Sequence, residues 1–403
     1  MQKPLTIAWR NLLRNPERSL LAGITVFVGG FILLCSLFLA DGISDGITKN
    51  LVAIESGSTL VTYQKKTDDI KDPSVFEKMH EHVAGVLGSL KPVTKVRVRM
   101  KFDALLFGPD GDSTTLTIKG IDPGSEVSLK DYLVPDSGHM VSVEGQGIYL
   151  SRQAADQLHV NTGDQITLMV NTWGDQINAM DFTVTGVFAD IAPWADYVAY
   201  ITLSNAQKLF AAKIANQYLI DTPHLSQAAG LTVQARDALR DQPVWVDSYE
   251  SAGGFLLGIA NANRYTFLAF SALLFVVVGL GIASLMSITV RERNPEFGMM
   301  LAFGFHTRQL LGLLMLEVTI LAGLATLIAL LIGAAVYAVL CQHGIALSGA
   351  ARNAFGSARL IPAMHSYQIY VLLLACMGMA LFGAFFPAWR IMKLSTDDIL
   401  RKA

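Results

Sequence analysis

The chain has 403 residues, of which 52% are hydrophobic and only 16% are charged, and its formal net charge is −2. This composition is too apolar for an ordinary soluble protein, so membrane-spanning and aqueous parts must alternate along the chain. The near-neutral balance argues against a nucleic-acid partner, because the basic residues collect at the ends of apolar runs instead of forming one basic face.

Residues 1–18 alternate basic and apolar positions, which predicts an amphipathic helix on the cytoplasmic surface of a membrane. The basic positions that would reach lipid phosphate are Lys3, Arg10, Arg14 and Arg18. An unstructured basic leader is the alternative interpretation. Residues 19–40 follow as 22 uncharged positions, enough to span a bilayer. This run is longer than the apolar region of a signal peptide, about 7 to 15 residues, so it is predicted to be a retained first span.

From residue 41 to residue 265 the sequence reads as an aqueous domain. Apolar residues recur at helical spacing over residues 41–55, which predicts that the first span continues outward as a stalk. Short strands and helices then alternate, which predicts an α+β domain. The predicted strands are 59–63, 96–108, 113–121, 147–151, 164–170, 181–188, 197–202, 216–222 and 243–248, and the predicted helices are 72–89, 151–159, 204–210 and 225–240. Residues 249–264 are predicted to form a second stalk that re-enters the membrane.

Residues 266–290 are 25 uncharged positions and are predicted to be the second span. Residues 291–309 then turn polar, and their arginines mark the cytoplasmic side. A short, separately capped helix is predicted there. Its signals are Asn294 as N-cap, Pro295 at the first helical position, Glu296 near the positive end of the dipole and Gly304 just past the end.

Residues 310–341 form a third apolar run, residues 342–366 a short outer loop, residues 367–389 a fourth span and residues 390–403 a tail. With both termini cytoplasmic, most basic residues lie inside and the 41–265 domain lies outside. Glu317 is the only carboxylate well inside a span. It is either a coupling or gating acid or a near-interface side chain turned into the bundle against Ser, Thr or backbone groups.

Sequence motifs for several chemistries are absent. The chain contains no GxxxxGK[ST] phosphate loop, no HExxH, no GxSxG and no Cys/His cluster with metal spacing. His80 and His82 are two apart on a predicted helix and face different directions, which argues against a metal pair. The chain is therefore predicted to have no catalytic residues and no metal site.

Three motifs accompany this layout: AWRNLLRNPERS near the N-terminus, RERNPEFGMMLAFG after the second span and FFPAWRIMKLSTDDILR near the C-terminus. With one large domain between spans one and two, the whole chain resembles the FtsX/MacB/LolC-LolE permeases of ABC transporters. Residues 147–170, followed by 182–188 and the 204–210 helix, are similar in order to the periplasmic domain of the lipoprotein-releasing branch. The resemblance implies a four-span α-helical membrane protein carrying a MacB-like periplasmic α+β domain, in the bacterial inner membrane.

In this family the capped cytoplasmic helix docks on a separate ATPase. By motif match, the ATPase-coupling positions are Arg291, Glu292, Arg293, Glu296, Phe297, Gly298, Ala302 and Gly304. The resemblance further implies that the chain is a non-catalytic subunit, that ATP and Mg²⁺ bind to two copies of the partner ATPase, and that a second permease, identical or paralogous, completes the complex. No cofactor is expected on this chain itself.

The resemblance also implies a mechanical action, in which ATP hydrolysis moves the periplasmic domain. Two facing permeases would hold an acylated substrate between spans one and two. The apolar surface there would come from Phe27, Phe31, Phe38, Phe267, Phe270 and Phe275; packing within the bundle or against membrane lipid is the alternative for each. Small residues that permit close helix approach are Gly23, Gly29, Gly30, Gly279 and Gly281.

Three functions remain open. The first is extraction of lipoproteins from the inner membrane and their release to a periplasmic carrier. The second is MacB-like tripartite efflux with a periplasmic adaptor, although that family member usually carries its ATPase in the same chain. The third is a signalling permease that activates a cell-wall hydrolase. The loop at residues 171–180 is short and lacks the proline of the LolC arm, which leaves a LolE-like, fused or self-paired role open.

Overall fold

A computed structural model of the chain describes residues 4–14, 16–63, 73–126, 129, 133, 135–141, 145–172, 176–188, 197–347 and 359–392. Its contacts divide it into two compact units. The helical unit comprises Met1–Asp45, Asn261–Ile345 and Leu360–Ala403, and the inserted domain comprises Gly46–Ala260 with Ala346–Arg359. The chain therefore passes from one unit to the other inside long helices near residues 45 and 260.

The helices are α1 (Pro4–Arg14), α2 (Pro16–Leu51), α3 (Pro73–Ser89), α4 (Arg152–Gln157), α5 (Leu203–Leu209), α6 (Ala228–Ala238), α7 (Tyr249–Ala252), α8 (Gly254–Glu292), α9 (Asn294–Ala302), α10 (Thr307–His343) and α11 (Ser366–Met392). The strands are β1 (Thr59–Tyr63), β2 (Lys95–Phe107), β3 (Ser113–Ile121), β4 (Pro135–Gly138), β5 (Gly147–Ser151), β6 (Gln165–Asn171), β7 (Ile177–Phe188), β8 (Val198–Thr202), β9 (Gln217–Asp221), β10 (Val244–Ser248), β11 (Ile345–Ala346) and β12 (Arg359–Leu360).

Within the described residues, four helices are long and apolar enough to cross a membrane: α2, α8, α10 and α11. The four predicted spans are confirmed as helices of this kind. Two of them are much longer than a span requires, because α2 has 36 residues and α8 has 39, or about 54 and 58 Å. Most of each predicted stalk is thus part of the same helix as its span. The second stalk was predicted from residue 249, but residues Tyr249–Ala252 form the separate helix α7 and α8 begins at Gly254.

The helical unit packs through small residues on α2. A Cβ added at Gly30 would lie 2.9 Å from Cys376 Sγ, and one at Gly29 would lie 3.0 Å from Val278. The other glycines singled out from the sequence also face neighbouring helices; their contacts are Leu321 for Gly23, Met379 for Gly279 and Thr25 for Gly281. Close approach lets these helices gain van der Waals contact, which drives their association in lipid.

Ten strands of the inserted domain form one sheet within the described residues. The hydrogen-bonded order runs β10-β1-β9-β2-β3-β8-β5-β7-β4, and β6 pairs with both β2 and β7. The path β2-β3-β8-β5-β7-β6 therefore closes on itself. Most pairs are antiparallel, while β3 with β8 and β5 with β7 are parallel. The predicted α+β domain between the first two membrane helices is confirmed.

The domain core follows from strand alternation. In β6, Ile166, Leu168 and Val170 are buried on one face while the intervening residues are not. Helices that follow strands begin at hydroxyl side chains: Ser151 caps α4 and Thr202 caps α5, each accepting a backbone N–H three residues on. One packed cluster therefore joins residues of β1–β3 and β5–β10.

Some predicted bounds need correction. α9 begins at Asn294, with Arg293 in the N-cap position and no side-chain cap, so Asn294 is not the N-cap. The strand β4 was not predicted. The loop 342–366 contains β11, β12 and the start of α11, and its residues 348–358 lie outside the described residues, as do residues 393–403 of the predicted tail.

Candidate functional site

Backbone hydrogen bonds and a glycine define the two ends of α9. Arg293 N–H still bonds to Thr289 O at 3.1 Å, and Phe297 N–H bonds to Arg293 O at 3.0 Å, so the chain turns at Arg293 with little loss of hydrogen bonding. At the other end Gly304 has a φ of +90°, and Phe305 N–H returns to Met300 O at 3.1 Å. This glycine-dependent ending confirms the predicted role of Gly304.

One face of α9 packs into the helical unit. Phe297 is only 2% exposed and shares a cluster with Val290, Leu310, Leu314 and Ala388 of α8, α10 and α11. Gly298 is buried beside it. The apolar spacing of Phe297 and Leu301 therefore marks the inner face of the helix.

A buried ion network surrounds the start of α9. Arg293 Nη1 donates to Glu317 Oε2 at 2.8 Å, and Asn11 Nδ2 of α1 donates to Glu317 Oε1 at 2.6 Å. Arg293 Nε also donates to Glu296 Oε2 at 3.2 Å, and Arg14 pairs with Glu296. The Glu317 carboxylate is turned into the bundle, but against Arg293 and Asn11, so the expected Ser, Thr or backbone partners are wrong.

Three large apolar residues, one on α9 and two just past its end, are exposed among the described residues. Phe303 is 84% exposed, Met299 is 59% exposed and Phe305 is 47% exposed. We call these three residues the α9 patch. Clustered large apolar side chains next to polar neighbours are typical of protein-binding surfaces.

The structure divides the eight predicted coupling residues into two groups. Arg293, Phe297 and Gly298 are buried and hold the helix in place, and Glu296 is partly buried in ion pairs. The exposed members are Arg291, Glu292, Ala302 and Gly304. Sequence reasoning missed Met299, Phe303 and Phe305. Met299 lies two positions after Phe297, on the opposite side of α9, which was a usable signal. Phe303 and Phe305 follow the helix, so helical spacing gave no signal for them.

A second charged cluster lies in the inserted domain, at the end of α2. Here a turn of π-helix, Val52–Ser56, ends the helix and leaves its last carbonyls facing β2. Arg97 donates to Ala53 O at 2.6 Å and to Val52 O at 3.0 Å, and Arg99 donates to Ile54 O. These cations complement the negative end of the helix dipole.

Acidic side chains balance those arginines. Glu126 accepts from Arg97 Nη1 at 3.1 Å and from Arg99 Nη2 at 2.9 Å, and Asp221 accepts twice from Arg97 at 2.8 and 2.9 Å. Burial opposes ionisation of Glu126, but the hydrogen bonds and charges of Arg99 and Arg97 outweigh it, so the pKa of Glu126 lies below its ordinary value. Glu126 therefore favours its ionised form although it is buried.

No group of three or more His, Cys, Asp or Glu side chains in the described part of the chain is placed to hold a metal ion. His80 instead hydrogen-bonds through Nδ1 to Tyr218 Oη at 2.6 Å and stacks on that ring, with 5.6 Å between centroids. Its surroundings are those of a core side chain.

Comparisons with known proteins agree with this architecture. A family model for the MacB-like periplasmic core domain matches residues 19–244, more than half of the chain, and one for the FtsX-like permease C-terminal domain matches residues 268–396. The chain belongs to the FtsX/MacB family of ABC transporter permeases. A permease of this family works with an ABC ATPase, and the four apolar helices make it a multi-pass membrane protein.

The similarity to a curated relative covers only part of each chain. The macrolide export ATP-binding/permease protein MacB of Nitrobacter winogradskyi is 29% identical over 159 residues, which are 38% of this chain and 22% of that protein. The chain thus spans about a fifth of the length of this relative. Two solved structures also match part of the chain. The extracellular domain of the transporter YknZ from Gram-positive bacteria has 14% identity, a TM-score of 0.35 and coverage of 47% of this chain and 100% of that one. The periplasmic region of MacB from Actinobacillus actinomycetemcomitans has 12% identity, a TM-score of 0.35 and coverage of 52% of this chain and 97% of that one.

The six phenylalanines that the sequence predicts as substrate contacts differ in their burial in the permease. Phe38 is buried inside the helical unit, edge-on to Tyr337 at 6.0 Å, so it offers no surface to a substrate. Phe27 stacks on Phe31 at 5.9 Å. Phe270 is exposed, while Phe267 and Phe275 are half-buried. The apolar surface on α8 therefore depends on Phe270 and its neighbours.

The far end of α2 in the helical unit of the permease carries a buried acid, Asp41. Gln368 Nε2 donates to Asp41 Oδ2 at 2.6 Å, Tyr367 donates to the same oxygen, and Arg264 Nε lies 3.7 Å from Oδ1. His365 Nδ1 lies 3.6 Å from Oδ2. Asp41 therefore ties α2 to the beginning of α11 and to α8 at this end of the unit.

Proposed function

We propose that this chain is the non-catalytic permease subunit of an inner-membrane ABC transporter, and that the α9 patch docks on the separate ATPase. The observation that carries the proposal is the division of α9 into two faces. Phe297 and Arg293 hold the helix firmly in the unit, while Met299, Phe303 and Phe305 are apolar and uncovered. A rigidly held helix with an apolar outer face is suited to receive a movement from a partner.

The proposed action is mechanical. The membrane helices α2 and α8 run without a break into segments of the inserted domain, and α2 ends on the Arg97 and Arg99 side chains. A pore for a polar solute would need polar side chains along its length. The apolar runs 19–40, 266–290 and 367–389 contain no charged residue, and 310–341 contains only Glu317. ATP hydrolysis on the partner would therefore move the domain rather than open a hydrophilic path.

The substrate we propose is an acylated protein, a lipoprotein withdrawn from the inner membrane and released to a periplasmic carrier. The supporting observation is the exposure of α8. Only 11% of its most apolar stretch is buried within the described structure, whereas 39% of the corresponding stretch of α2 is buried. An uncovered apolar helix can contact an acyl chain or a second permease, whether a copy or a paralogue. The cytoplasmic position of both termini is part of this proposal, supported by the arginines beside α9.

A second candidate is MacB-like efflux with an adaptor. It is favoured by the match of residues 19–244 to the MacB-like periplasmic core domain and by the likeness to a macrolide export protein. Native mass spectrometry of the complex, purified in mild detergent from its host, separates the two candidates. Two permeases, two ATPases and a bound triacylated protein support lipoprotein release, whereas an attached adaptor without an acylated ligand supports efflux.

The docking proposal has its own test. Phe303→Asp places a charge in the α9 patch without touching the core, so the ATPase should no longer co-purify with the tagged permease while the thermal midpoint stays unchanged. Val233→Asp, at an exposed apolar position of the inserted domain, is the matched control and should retain the ATPase. Retention of the ATPase by Phe303→Asp would exclude the α9 patch as the docking surface.

A further inference from the structure

Glu317 joins two helices that are remote in the sequence. Its Oε1 accepts from Asn11 of α1 at 2.6 Å, and its Oε2 accepts from Arg293 at the start of α9 at 2.8 Å. Glu317 and Arg293 are both buried. Removing Arg293 would leave the buried Glu317 carboxylate without a counter-charge, which is strongly unfavourable. Removing Glu317 would leave Arg293 paired only with the partly exposed Glu296. One carboxylate therefore fixes the positions of α1 and α9 together.

A second ion pair connects the same two helices. Arg14 lies three residues after Asn11, on the same side of α1, and pairs with Glu296 in the first turn of α9. Arg293 also donates to Glu296 and lies over the Phe297 ring at 5.3 Å. The charged groups thus form one continuous network from α1 to the inner face of α9.

The network borders a cavity of about 240 Å³ between α1, α2, α8 and α10. Its charged and amide lining residues are Asn11, Glu292, Arg293 and Glu317, and most of the remaining wall is apolar. Arg293, at the start of α9, and Glu317 thus have open volume beside them. These two side chains can therefore shift with α1 or α9 without meeting a close-packed core on this side.

We propose that Glu317 is a positioning residue that makes α1 a working part of the ATPase-coupling apparatus, with Asn11 and Arg293 passing displacement between α1 and α9. This inference rests on the proposed function, in which α9 receives the movement of the ATPase. It assigns to the N-terminal helix a role beyond contact with lipid. Because the contact is a shared carboxylate, the effects of changes in α1 depend on the charge at position 317.

The test uses the full chain with a C-terminal affinity tag, purified from its host membranes in mild detergent with whatever ATPase it retains. Asn11→Asp sets a second carboxylate against Glu317, and permease-stimulated ATP hydrolysis should fall about fivefold or more while the ATPase stays bound. Thr6→Asp, which adds the same charge at an exposed position of α1, should hydrolyse ATP like wild type.

A double variant distinguishes coupling from general damage. Glu317→Gln alone should also reduce stimulation, because Arg293 loses its buried counter-charge and keeps only the partly exposed Glu296. Asn11→Asp combined with Glu317→Gln again presents one carboxylate to the network, so its stimulation should exceed that of both single variants. If Asn11→Asp fails to accumulate in the membrane, Asn11→Ser removes the hydrogen bond without adding charge and should lower stimulation in the same direction.

The outcomes separate this inference from the proposed function. Wild-type stimulation by Asn11→Asp, or by Asn11→Ser where that variant replaces it, with the ATPase still bound would overturn the inference and leave α9 docking intact. A double variant no better than the single ones would overturn the shared-carboxylate argument. A wild-type chain that retains no ATPase would instead overturn the proposed function.

Discussion

Arg99 donates to Glu126 through both Nε and Nη2, at 2.5 and 2.9 Å, and both side chains are fully buried in the inserted domain. The same guanidinium donates to Ile54 O at the end of α2. The pair therefore connects β2 to the last turn of the long first helix. A buried pair in this place is a constraint on geometry more than a gain in stability over an apolar pair.

Breaking that pair should destabilise the domain strongly. Arg99→Met leaves the Glu126 carboxylate buried beside only Arg97 and removes a donor from the end of α2. We expect the free energy of unfolding to fall by about 3–5 kcal/mol. Urea titration of the full chain with pulse proteolysis, which reports the inserted domain, measures the change.

The control for Arg99 is an ion pair at the surface. Arg152 pairs with Asp136, and both side chains are partly exposed, so solvent screens their attraction. Arg152→Met should change the free energy of unfolding by about 0–1 kcal/mol. Equal losses for the two variants would show that the burial of Arg99 has no special consequence.

The two faces of α9 should respond in opposite ways to truncation. Phe297→Ala empties a buried site between α8, α10 and α11 and should cost about 3–5 kcal/mol, seen as a lower thermal midpoint in detergent. Phe303→Ala removes a side chain that is mostly exposed to solvent, so the thermal midpoint should stay unchanged. The same variant should retain less of the ATPase. A large loss of thermal stability in Phe303→Ala would mean that this face is covered within the chain.

Sequence periodicity located most elements because their signals are local. The strands β1, β3 and β5 have the predicted bounds, since β-branched, aromatic and other apolar residues dominate each one and polar residues flank it. The strand β4 was missed because Pro135, Asp136 and Gly138 all disfavour strands. It forms only because β7 pairs with it, and β7 is far away in the chain.

The candidate site was predictable only in outline. The motif match located α9, but helical spacing does not say which face is covered, and α10 and α11 decide that. Asn11 and Glu317 are 306 positions apart, so no local pattern joins them. The closure of the strand path through β6 and the carbonyl contacts of Arg97 are likewise products of tertiary packing.

His80 should make the stability of the inserted domain depend on pH. Burial lowers the pKa of the His80 imidazole below its ordinary value of about 6.5, although the Glu81 carboxylate opposes the shift. The unfolded chain then binds this proton more tightly than the folded chain, so stability is lost as pH falls below about 6.5 and regained as pH rises.

Urea midpoints of the full chain between pH 5 and pH 7.5 test this sign. His80→Gln can still bond to Tyr218 but does not titrate, so the decline towards low pH should become shallower. His224→Gln changes an exposed histidine of the same domain and leaves His80 in place. In this control the part of the fall in the urea midpoint at low pH that is due to His80 should remain. An unchanged slope in His80→Gln would mean that His80 has the same proton affinity in both states.

Two glycines one helical turn apart on α2 should differ sharply in their tolerance of alanine. A Cβ at Gly42 would lie 2.5 Å from Ile361 O and 2.7 Å from Pro362 Cα, so backbone must move, whereas a Cβ at Gly46 meets nothing within 4 Å. Gly42→Ala should therefore lower the thermal midpoint of the full chain, with a cost of about 1–3 kcal/mol. Gly46→Ala should hold or raise the midpoint, because alanine favours a helix by about 0.5–1 kcal/mol over glycine. An unchanged midpoint for Gly42→Ala would show that the backbone of residues 361–362 moves aside at little cost. The helix α2 would then be free to shift against that segment when α9 is displaced.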